Sequence, residues 1–134
     1  MTTYLIAYAT TLLIFLAIDA VWLGAIARDF YFSQLGHLML DEIKYGIALA
    51  FYCVYVIGIV IFAINPALQN GQWTHALIYG ALFGFFAYGT YDLTNMSTLK
   101  AWPTLMSIVD IAWGAALTGT SATLGFFATR AILS

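Results

Sequence analysis

Tyr91-Asp92-Leu93-Thr94-Asn95 and Val109-Asp110-Ile111-Ala112-Trp113-Gly114 flank the break Lys100-Ala101-Trp102-Pro103. Each flank carries one carboxylate at the edge of a long apolar run. The run before the break covers residues 74–97 and the run after it residues 103–129. Each exceeds the roughly 20 residues that a helix needs to cross a bilayer core. Two apolar helices joined by a tight turn, each with an acid near that turn, set the reading of the rest of the chain.

Composition agrees with that reading. Of 134 residues, 63% are hydrophobic and only 7% are charged. A soluble domain carries about a quarter charged residues, so this chain lacks the polar side chains to cover a globule in water. Lipid removes that demand. The length suits a single domain over residues 1–134 and leaves no room for a soluble one. The formal net charge of -2 includes no basic patch, which argues against nucleic acid as a partner. Cys53 stands alone and cannot form an internal disulfide. The N-terminus lacks the basic first segment and the cleavage site of a signal peptide, so it reads as an uncleaved first span.

Outward from the central stretch, residues 3–27 form the first expected span. Tyr8, Thr11, Phe15, Asp19 and Trp22 share one of its faces at helical spacing. Residues 28–43 mix Arg28, Asp29, Gln34, His37, Asp41 and Glu42 with aromatic and aliphatic residues. They read as a short segment in the headgroup region or as a plain loop. Residues 44–64 form the second span, with Lys44 at its start, Tyr52 and Tyr55 inside and no acid. Asn65-Pro66 should end it, followed by a turn-rich loop containing Asn70-Gly71. In the third span Gly80, Gly84, Tyr88 and Asp92 fall on one stripe, with Asn95 a turn beyond. The two glycines invite a close neighbour, while Phe83 and Phe86 should point elsewhere. Pro103 suits the first turn of the fourth helix. There Asp110, Gly114, Thr118, Ser121 and Gly125 share a face. The expected fold is an all-α bundle of four transmembrane helices, with a short interfacial segment between helices 1 and 2. Arg28, Lys44 and Lys100 fall on one side and Arg130 on the other. That bias puts the first and third loops in the cytoplasm and both termini outside.

Depth singles out the acids. Asp19, Asp92 and Asp110 each lie roughly 8–12 Å inside the same boundary at 1.5 Å per residue. A charge at the bilayer centre costs roughly 2.5–3.5 kcal/mol on insertion scales, so all three should face the interior and meet. Repulsion and desolvation should keep at least one protonated near neutral pH. Lys44 is a candidate counter-ion. Tyr88, Tyr91, Asn95, Trp22 and Trp113 are candidate hydrogen-bond donors. The plain alternative is that the acids merely knit helices together. Asp19-x-x-Trp22 and Asp110-x-x-Trp113 resemble each other, but their helices run in opposite directions at one depth, which argues against an inverted repeat. His37 and His75 lie at or beyond span ends without metal-ligand spacing. No metal, cofactor, phosphate loop or nucleophile motif is expected.

These motifs carry a resemblance. Tyr91-Asp92-Leu93-Thr94-Asn95, Leu99-Lys100-x-Trp102-Pro103 and Val109-Asp110-x-x-Trp113-Gly114 resemble the signature of the bacterial DUF2177 membrane proteins. Asp19-x-x-Trp22-Leu23 is similar to that family's first span. The resemblance implies a small four-helix protein of the bacterial inner membrane, and it brings no catalytic role with it.

Three functions follow as expectations. The leading one is binding or translocation of a proton or small polar ligand from the cytoplasmic side, with a homodimer as a plausible assembly. The second is a membrane enzyme or accessory factor in lipid modification, using the acids for general acid–base chemistry. The third is a structural or assembly subunit of a membrane complex.

Overall fold

The computed structural model describes residues 1–40 and 42–134. Among them there is no strand. Helix α1 (Thr2–Val21) continues into a π turn, Trp22–Ile26. A short helix α2 (Arg28–Leu35) and a 3-10 turn (Gly36–Leu38) follow. Next come α3 (Tyr45–Ile59), a π turn (Val60–Ile64) and α4 (Asn65–Asn70), stacked as one rod. Last are α5 (Trp73–Thr98) and α6 (Thr104–Leu133).

Three of these rods, Thr2–Ile26, Tyr45–Asn70 and Thr104–Leu133, are long and apolar enough to cross a membrane. Four were expected. The missing one is α5, which at 26 residues is about 39 Å long and so long enough. Its C-terminal end, with Asp92, Thr94, Asn95, Ser97 and Thr98, makes it less apolar than the others.

Two boundaries move relative to the sequence reading. Asn65-Pro66 does not end the second rod, because the helix runs on to Asn70. Proline lacks an N–H, and its ring crowds the carbonyl four residues back. The π turn just before Pro66 spaces the backbone wider at that point. The rod stops instead at Gly71, whose φ of 71° and ψ of 18° suit a residue without a Cβ. There Gln72 N–H reaches Ala67 O at 3.2 Å, closing the helix end. Pro103 stands one residue before α6 rather than inside its first turn. Of the segment left open between interface and loop, Arg28–Leu35 is helical as α2, and Asp41 lies outside the described residues.

Helices α5 and α6 pack most extensively, then α1 on α6. The antiparallel register steps four residues down one helix and four up the other. Gly80 faces Thr118 and Ala122, Gly84 faces Gly114 and Thr118, and Tyr88 covers Gly114. A Cβ on Gly84 would stand 2.8 Å from the Gly114 carbonyl carbon, so only glycine permits this approach. Phe83 points elsewhere, to α3 rather than α6: it packs on Gly58 and stacks on Tyr55 at 5.1 Å. Phe15, Val56, Ile59, Ile64, Leu117 and Phe126 are buried and form the dry centre. Leu13, Phe51, Ile61, Phe86 and Ile108 stand outward, as a lipid-facing surface requires.

Candidate functional site

The site lies at the end of the bundle where α1 finishes, α3 begins, α5 finishes and α6 begins. The helical period of α1 puts Thr11, Phe15 and Asp19 on its buried face. The Asp19 carboxyl accepts a hydrogen bond from Trp113 Nε1 of α6 at 3.1 Å. Trp113 stacks on Trp22 with centroids 4.2 Å apart and planes 9° from parallel. Trp22 Nε1 donates to the Tyr31 hydroxyl at 3.3 Å, and that hydroxyl donates to Asp110 Oδ1 at 2.9 Å. The two Asp-x-x-Trp segments therefore serve each other. Trp113 reaches Asp19 directly, and Trp22 reaches Asp110 through a phenol.

Asp92 is different. It is 0% exposed, and no donor reaches either carboxyl oxygen. Asp110 stands nearby on α6 and does not bond it. Asp110 is also close enough to act on Asp19 through its charge. Tyr31, Trp22 and Trp113 connect Asp110 to Asp19, and Asp92 is buried at the same end of the bundle without a partner.

Beside Asp110 a cleft of about 340 Å³ opens between α3 and α5, walled by Phe51, Tyr52, Tyr55, Tyr88 and Tyr91. Here α3 leans on α1 rather than packing closely along α5. Tyr55 closes the cleft's inner end, its hydroxyl 2.9 Å from Thr118 Oγ1. Tyr91 is half-exposed at the rim and packs edge-on against Trp102. A second cavity, about 470 Å³, shares Tyr52 with the first and includes Arg28 and Tyr31.

Two expected members stand apart. Lys44 is exposed at the start of α3, and no ion pair joins it to Asp19, Asp92 or Asp110. Its ammonium stays where it can be solvated, which is cheaper than following the acids inward. Asn95 is half-buried and makes no side-chain hydrogen bond to the acids. At its level the polar group of α6, Ser107, already accepts from Trp102 Nε1 at 2.8 Å. Two residues were missed. Tyr31 came from the segment with no clear period, and burial followed by the charge of Asp110 holds its phenol above the ordinary range. Tyr52 lies beside Asp19 and lines both cavities. Its spacing from Tyr55 in an acid-free span was the available signal.

An all-helical chain with apolar rods, outward aliphatic and aromatic residues and polar groups turned inward is an integral membrane protein. Over residues 4–127 it matches the family model described as "Predicted membrane protein (DUF2177)". The chain belongs to that family. No curated protein and no solved structure matches it.

Proposed function

We propose that this chain is a ligand-binding protein of the bacterial inner membrane, and that its acid cluster is a site which holds a proton when empty. The observation that carries this reading is Asp92, fully buried with both oxygens lacking a donor. An acid that only knits helices is satisfied by neighbouring donors. A polar group left short in a protein interior calls for a functional account. A proton held on Asp92 removes its buried charge, and an arriving cation or donor can replace it.

Binding is favoured over translocation. Beyond Tyr55 and Thr118 the centre is filled by Phe15, Val56, Ile59 and Leu117, so the cleft ends blind. The domain is read as residues 1–134, with α5 as a fourth span. Its buried stripe Gly80, Gly84 and Asp92 packs against α6, which hides Asp92 from lipid, and the exposed hydroxyls of Thr90, Thr94, Ser97 and Thr98 bond carbonyls of their own helix. The Lys and Arg bias supports a cytoplasmic position for the α1–α3 and α5–α6 connections. The site then opens near that face.

Infrared difference spectroscopy on purified protein tests the proton. A protonated-carboxyl C=O band at neutral pH should vanish in Asp92→Asn. A spectrum without that band in the unsubstituted protein refutes the reading.

A further inference from the structure

Resting on that binding-site reading, we infer that the α3–α5 cleft takes an organic ammonium group carried by a membrane lipid headgroup. Four phenols (Tyr52, Tyr55, Tyr88, Tyr91) and one phenyl (Phe51) line the cleft with one carboxyl, Asp110. Aromatic faces attract cations through their quadrupoles. Among the described residues no Lys, Arg or His side chain lines this cleft. The donors that do reach the acids, Trp113 and Tyr31, are neutral. Asp110 therefore stands among rings without a cationic side chain beside it. Buried charge of that kind calls for a partner of opposite sign.

The cleft's chemistry narrows that partner. A small hard metal ion needs several oxygen ligands, and the cleft offers one carboxyl among rings. An anion would meet Asp110. An ammonium bearing carbon substituents satisfies both the rings and the acid. Size permits it: an engineered cavity of about 150 Å³ holds benzene, and this one is about 340 Å³.

The lipid source follows from the surroundings. The opening lies between two helices whose outer residues, such as Phe51 and Phe86, are apolar and exposed. The adjoining cavity, reached past Tyr52, contains Arg28, whose guanidinium rests 5.3 Å above the Phe32 ring. Arginine matches a phosphate. A zwitterionic headgroup would set its ammonium before Asp110 and its phosphate at Arg28.

The test titrates purified, delipidated protein in detergent with phosphatidylethanolamine, N-acetyl-phosphatidylethanolamine and phosphatidylglycerol, read by native mass spectrometry. Tetramethylammonium chloride serves as the soluble competitor. Phosphatidylethanolamine should bind at least about tenfold more tightly than the two lipids without an ammonium. Tyr91→Leu should weaken it several-fold, as loss of a cation–π face does, and Tyr91→Phe should restore it. Arg28→Gln should weaken the lipid without changing tetramethylammonium. Equal binding of the acetylated lipid, or no binding of any, overturns the ammonium. Competition by tetramethylammonium with no preference for the aminolipid overturns the lipid source. The Asp92-dependent infrared band is independent of these outcomes, so its persistence would leave the proton-holding site standing while the ligand class falls.

Discussion

Adding one methyl group at Gly84 measures how tightly α5 and α6 are joined. The new Cβ would stand 2.7 Å from Thr118 Oγ1 and 2.8 Å from the Gly114 carbonyl carbon. Ordinary carbon contacts lie at about 3.5–4.0 Å, so α6 must retreat by roughly 1 Å, and a gap of that size forfeits up to about half of the local dispersion energy. Overpacking of this kind costs about 1–3 kcal/mol. Thr118 would also be pulled from Tyr55, whose hydrogen bond is 2.9 Å long; a typical net value is about 1 kcal/mol. Against this, alanine gains about 1 kcal/mol over glycine in a helix interior. The net expectation for Gly84→Ala is a loss of about 1–3 kcal/mol. Gly89 is the control: it lies on the same helix, and a Cβ there meets nothing within 4 Å. Gly89→Ala should be neutral or gain up to about 1 kcal/mol. Unfolding in mixed micelles by increasing dodecyl sulfate reads both. Equal stability of the two variants would refute the close helix approach.

The acids should respond unequally. Asp19→Leu strands the Trp113 N–H and should cost about 1–3 kcal/mol, whereas Asp92→Leu removes a group with no donor and should cost little; a larger loss for Asp92 in the same unfolding assay would contradict the assigned partners. Tyr31→Phe breaks the relay from Trp22 to Asp110 and should cost about 1–3 kcal/mol. Because the folded phenol sits above the ordinary value of 10.0, its stabilising share is full below pH 10 and is lost as pH rises toward the folded value. The unsubstituted protein should therefore lose more stability than Tyr31→Phe between neutral pH and strongly alkaline pH, and parallel profiles would exclude the phenol. In a Cys53→Ala background, an impermeant thiol reagent outside the cell should label Gly71→Cys and not Lys100→Cys; the opposite pattern reverses the orientation.

The acids and tryptophans were legible because lipid leaves few options for a carboxyl at depth. Asp19, Asp92 and Asp110 could be aligned from residue counts alone. Gly80 and Gly84 were legible for a similar reason, since their spacing with Asp92 repeats every helical turn. Tyr31 was not: it is 79 residues from Asp110 in sequence, and α2 gives no strong period to say which way it faces. The cleft was hidden too, because it depends on α3 leaning toward α1. Lys44 misled because a positive charge near three acids suggests pairing, while its place at a span end lets water hold it. The run of helix through Pro66 was missed because a π turn leaves no mark in residue type.

The glycine contact between α5 and α6 also bears on how the chain is made. For a membrane-crossing α5, its Asp92 has no shelter until α6 arrives. The translocon would therefore meet α5 as a poor stop on its own and α6 as a good one. Only five residues, Leu99 to Pro103, separate them, so the second helix emerges from the ribosome soon after the first. The two would enter the bilayer together as a hairpin. A chain truncated before α6 should leave α5 outside the membrane, exposed to the quality-control proteases that clear orphaned segments.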